Sequence, residues 1–136
     1  TLLTIVSIVT GTLAEKFIHR EPQGEILATS TEKQLTHQQE TFISALEFCE
    51  SRGRTDIKIL DSNNRYSYGV LQFQAHTFVY FGQKYGIVDP SMTIDKVEPA
   101  IYDVETQRAI AHRMLLDGLE SHWKICTRKM GERYPK

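Results

Sequence analysis

Apolar residues return at helical period from Phe42 onward: Phe42, Leu46 and Cys49 fall at i, i+4 and i+7, with Ile43 and Ala45 beside them. Thr36 and Gln39, three apart just ahead of this stripe, make a capping-box pair, so a helix is expected to begin near Thr36. Gly53 is expected to end it as the C′ residue, which places Glu50 in the last turn beside the apolar face. Positions 57–60 and 66–68 flank the turn cluster Asp61-Ser62-Asn63-Asn64, which predicts a short hairpin or paired loop. Phe78 and Phe81, with Val79 nearby, predict a second helix over 74–85, closed by Tyr85-Gly86. Asp89-Pro90 marks a turn, and 93–99 reads as a connecting loop. Val104, Ala111 and Leu115, with Ile110 and Met114, form a broad stripe that predicts a third helix over 103–119.

The pattern changes at the N-terminal end. Residues 1–14 are apolar or small throughout and carry no charge. The run is shorter than the roughly 20 apolar residues of a membrane-spanning helix. It fits the hydrophobic part of an export signal or the remnant of a membrane anchor, with a buried strand of β-branched residues as the alternative. Residues 15–36, with Pro22, Gly24 and the Thr29-Ser30-Thr31 cluster, read as a polar linker. The organisation expected is therefore 1–14 signal or anchor, 15–36 linker and 37–136 one mainly α (α+β) domain, which suits a chain of 136 residues. A net charge of −1 with well-mixed signs argues against nucleic acid as a partner. Only 124–136 is locally basic, which fits a solvated face as readily as contact with an anionic wall.

Glu50 is the residue with the most pointed chemistry. The C-terminal end of a helix carries partial negative charge, which disfavours a second negative charge there. Partial burial against Leu46 and Cys49 acts in the same direction, towards a raised pKa and a carboxyl that holds its proton. A general acid needs that shift. The alternative is a solvated helix carboxylate, the reading given to Glu47. What favours the first reading is the segment Ser67-Tyr68-Gly69-Val70-Leu71-Gln72-Phe73, which the turn would fold back against the helix end. There Gly69 allows close approach of backbone to a ligand, and Gln72 both donates and accepts hydrogen bonds. Tyr66 and Tyr68 offer sugar-stacking faces, or else strand packing.

Glu50-Ser51 followed by Ser67-x-Gly69-x-x-Gln72-Phe73 resembles the lysozyme-like superfamily, and most of all bacterial lytic transglycosylases and goose-type lysozymes. The match is close over about 25 residues and holds elsewhere in outline. The resemblance implies a mostly helical fold with a small hairpin or loop beside a groove. It implies cleavage of the β-1,4 bond between N-acetylmuramic acid and N-acetylglucosamine, with Glu50 as acid and base and Ser67 and Gln72 lining the groove. Tyr68, Gly69 and Tyr102 are candidate substrate contacts beside them. In animal lysozymes a second carboxylate precedes the Tyr-Gly pair, where this chain has Ser67. A retaining glycosidase needs two carboxyls about 5 Å apart. With Glu50 the one convincing carboxylate, attack by the substrate's own muramic hydroxyl is expected, giving a 1,6-anhydro product. The alternatives are a hydrolytic muramidase assisted by Asp61 or by water, and a catalytically silent wall-binding module. Asp56, like Asp61, sits in the turn region.

The remaining candidates are few. Trp123 is read as a core anchor before a sugar platform, and His112 as a partly exposed helix residue. Cys49 and Cys126 are either independent buried thiols or, in an exported chain, a disulfide. No metal site and no cofactor is expected. The expected partner is the peptidoglycan glycan strand, met by a monomer that is exported: periplasmic, at the cell surface or held at a membrane through 1–14.

Overall fold

In the computed structural model, residues 34–136 are described; the signal or anchor read at 1–14 and the linker up to residue 33 lie outside them. Helix α1 runs His37–Ser51. The Thr36 hydroxyl accepts from the Gln39 N–H at 3.2 Å, and the Gln39 side-chain oxygen accepts from the Thr36 N–H at 2.9 Å. The capping box of the sequence is therefore formed, and it satisfies two donors that the helix itself leaves unpaired. At the other end Arg52 (φ 59°) and Gly53 (φ 74°) both turn left-handed, and their N–H groups close on the carbonyls of Phe48 and Glu47. Gly53 is the expected C′ residue.

The hairpin is present as β1 (Lys58–Leu60) and β2 (Tyr66–Tyr68), antiparallel, with Ile59 opposite Ser67. The Asp61 N–H donates to the Arg65 carbonyl at 2.8 Å, and Asn64 adopts a φ of 59° to complete the turn. A third strand, β3 (Phe73–Gln74), adds to the far side of β2 and gives the order β1-β2-β3. Two residues are too few to show an alternation, so periodicity does not reveal it. Helix α2 (Ala75–Lys84) follows at once.

Helix α3 covers Val104–Leu116, with the Asp103 carboxylate accepting from the Thr106 N–H at its start. It stops short of the expected residue 119, because Asp117-Gly118 turns out of the helix with Gly118 at φ 78°. Short 3-10 turns at Ile94–Lys96, Ala100–Tyr102 and Glu120–Trp123 occupy the connections, and α4 (Lys124–Met130) comes last.

Ile43 and Leu46 of α1, Phe78 of α2 and Ile110, Met114 and Leu115 of α3 are completely buried in one core with Leu71. Trp123 is an anchor of that core, as expected: its ring meets Phe73 edge-on and its indole N–H donates to the Leu71 carbonyl at 2.9 Å. Cys49 and Cys126 form a disulfide, with Cα atoms 5.8 Å apart, that fastens α4 to the end of α1. The chain is thus mainly α with one small antiparallel sheet. No helix among the described residues is long and apolar enough to cross a membrane.

Two polar residues inside this fold do structural work. Gln107 of α3 is wholly buried, and its side-chain oxygen accepts from the Leu71 N–H at 2.8 Å. Its amide nitrogen donates to the carbonyls of Tyr68 (2.9 Å) and Ile101. One side chain therefore bonds three backbone groups, and the bonds to Leu71 and Ile101 are buried. Arg108 bonds both carboxylate oxygens of Glu47 at 2.8 Å and also reaches Glu40, joining α3 to α1. Glu47 is therefore not the solvated carboxylate its helix position suggests.

Candidate active site

A groove of about 800 Å³ opens where the end of α1, the sheet, the start of α2 and α4 come together. Glu50, Asp61, Ser67 and Gln72 all line it. The chain brings them there by three local events. The left-handed turn at Arg52–Gly53 ends α1 just past Glu50, the β1–β2 turn carries Asp61 back, and the β2–β3 turn presents Gln72 at a φ of 53°. Gln72 fastens its own turn, its side-chain N–H donating to the Gly69 carbonyl at 2.8 Å.

Burial in the groove wall is the largest influence on Glu50, the Asp61 charge adds to it, and Lys129 partly offsets both; together they raise its pKa to about 7. Taking a carboxylate out of water penalises the charged form, and a second carboxylate nearby penalises it again. At neutral pH Glu50 is thus divided between proton donor and proton acceptor. Asp61 is held differently. One of its carboxylate oxygens accepts from the Ser67 hydroxyl and from the Gln74 amide, the latter at 2.8 Å. Ser67, directly on β2, is 4% exposed, so that hydroxyl is fixed in place. Asp61→Asn removes the neighbouring charge and is expected to bring the Glu50 midpoint below about 7, followed through its carboxyl resonance by NMR. An unchanged midpoint would assign the whole shift to burial.

Three of the sequence candidates lie outside the groove lining. Gly69 (φ 71°) is where α3 comes close: a Cβ there would sit 2.2 Å from the Gln107 amide nitrogen. Close approach is the reason for that glycine, and the approaching group is Gln107. Tyr68 turns to the other face of the sheet and meets Tyr102 edge-on, ring centres 5.7 Å apart. The Lys58 ammonium lies over both Tyr66 and Tyr68, at 4.7 and 5.0 Å from their ring centres. These residues make an aromatic cluster on the hairpin, away from Glu50.

The opposite wall holds residues that the motif does not point to. His76 and Thr77 begin α2, His122 precedes Trp123, and Lys124 and Lys129 come from α4. Burial lowers the pKa of His76, with the Arg65 charge acting the same way. Burial and then the charge of His76 lower that of His122. The signal for this wall was present in the disulfide: joining Cys126 to Cys49 must bring the neighbours of Cys126 beside Glu50. His112 is a partly exposed residue of α3, as expected, and its ring bonds the Tyr134 hydroxyl. No group of three potential metal-ligating side chains occurs among the described residues. Comparison with family models, with curated proteins and with solved structures gives no match to this chain.

Proposed function

We propose that residues 37–136 form a lysozyme-like domain that cleaves peptidoglycan glycan strands as a lytic transglycosylase, with Glu50 as its acid and base. The observation that carries this reading is the place of Glu50: a half-buried carboxyl with a pKa of about 7, facing a groove that Ser67 and Gln72 also line. Protonated Glu50 gives its proton to the glycosidic oxygen as the bond to the anomeric carbon breaks. The Asp61 carboxylate stabilises the positive charge that develops on the sugar ring. The muramic C6 hydroxyl then attacks the anomeric carbon, and the Glu50 carboxylate takes its proton. The product is a 1,6-anhydro sugar, the enzyme returns to its starting state, and no water is consumed. A groove of this size accommodates a short run of sugars. The disulfide supports an exported setting, where peptidoglycan is found.

A second reading is hydrolysis, and Asp61 favours it. That carboxylate lines the same groove, held by Ser67 and Gln74, where it is suited to orient an attacking water. Mass spectrometry of the fragments released from purified peptidoglycan separates the two. Anhydro-muramic ends are expected. Reducing ends, one water heavier, would establish hydrolysis, and a folded protein that released nothing from several wall types would overturn the enzyme reading.

A further inference from the structure

Resting on the glycan-cleaving reading, we propose that α4 forms an anion-binding wall of the groove that takes a carboxylate carried by the glycan strand. In a chain of net charge −1, residues 124–136 hold Lys124, Arg128, Lys129, Arg133 and Lys136 against Glu132 alone. The fold carries two of these cations, Lys124 and Lys129, onto the groove lining, and both are exposed to solvent. Neither takes part in a salt bridge among the described residues; Arg108, in contrast, spends its charge on Glu40 and Glu47 inside the fold. Neither ammonium group is taken up by an ion pair of the described fold.

Their position is fixed by the disulfide, which ties Cys126 of α4 to Cys49, the residue before Glu50. Lys129 is near enough for its charge to favour the ionised form of Glu50. A strand in the groove accordingly meets carboxyls on one side and ammonium groups on the other. N-acetylglucosamine offers nothing to an ammonium beyond hydroxyl and amide oxygens. N-acetylmuramic acid carries a lactyl carboxylate or, where a stem peptide is attached through it, the carboxylates of that peptide. Either source supplies a carboxylate, and the groove is thereby biased towards acidic glycan over neutral chitin-type glycan. The muramic sugar would lie in the place beside Glu50.

Calorimetry on the Glu50→Gln protein, which removes turnover, tests this with three oligosaccharides of equal length. These are a neutral N-acetylglucosamine oligomer, a peptide-free muramic oligomer and a peptide-bearing one. At low salt at least one acidic oligomer is expected to bind roughly fivefold more tightly than the neutral one, on the scale of exposed ion pairs. The preference should shrink as salt is added. In Lys124→Ala/Lys129→Ala it should fall to the affinity of the neutral oligomer. Which acidic oligomer gains tells whether lactyl or peptide carboxylate is recognised. Equal affinities for neutral and acidic oligomers, or a preference that survives in the double variant, would overturn the anion wall and leave the glycan reading standing. Failure of all three to bind would overturn both.

Discussion

Glu50→Gln is expected to slow fragment release by roughly 10²–10⁴-fold, the usual contribution of a positioned general acid. The amide keeps the shape of the carboxyl and cannot give up a proton to the leaving oxygen. In the parent, release should decline as pH rises through about 7, because the proton to be donated is lost there. The same substitution is expected to stabilise the fold. A carboxyl whose pKa is raised on folding binds its proton more tightly in the folded state. Below the unfolded value, near 4.5, both states are protonated and the group is neutral to stability. Between there and about 7 the unfolded chain ionises first, so stability falls, and the full penalty remains above that range. With the water that reaches the groove discounted, Glu50→Gln should gain about 1–2 kcal/mol at pH 8 and almost nothing at pH 4. Urea unfolding at the two pH values measures it. A loss of stability at pH 8 would contradict the burial assigned to this carboxyl.

Replacing both cysteines by serine is expected to cost about 4 kcal/mol in the chain-entropy account of a crosslink. The bridge spans a sequence separation of 77, so it closes the greater part of the described domain, from the end of α1 to α4. The effect should appear as a large fall in the urea midpoint. It should also reach the groove, since α4 and the end of α1 form adjoining walls there. Glu50 is expected to titrate nearer its ordinary value in the serine variant, because α4 no longer shields it from water. A variant as stable as the parent would show that core packing at Trp123 holds α4 without the crosslink.

The parts of the molecule legible in the sequence are those decided by neighbours along the chain. Thr36 and Gln39 form the capping box, Gly53 ends the helix, and Asp61–Asn64 makes the turn. Each is a contact over a few residues, where residue type and spacing are the whole cause. The parts that were not legible depend on distant partners. Glu47 occupies an ordinary helix position, and only Arg108, 61 residues later, takes it out of solvent. Gly69 reads as a ligand contact until Gln107 is found against it. Tyr68 and Ser67 are adjacent and face opposite sides of β2, so one joins Glu50 in the groove while the other turns to Tyr102. The cysteine pair was legible because only two were present. The residues that the bridge draws into the site required the fold.

Gln107 sets a rule for anyone who would move the motif elsewhere. The stretch from β2 to β3 is continuous in sequence, yet its backbone is finished by a side chain from α3 that fills the space over Gly69. Transplanted into another scaffold without an amide in that place, the loop would carry an unpaired N–H at Leu71 and a hole above the glycine. The smallest portable version of this half of the groove is therefore two separate pieces of chain, one strand-turn-strand and one turn of helix.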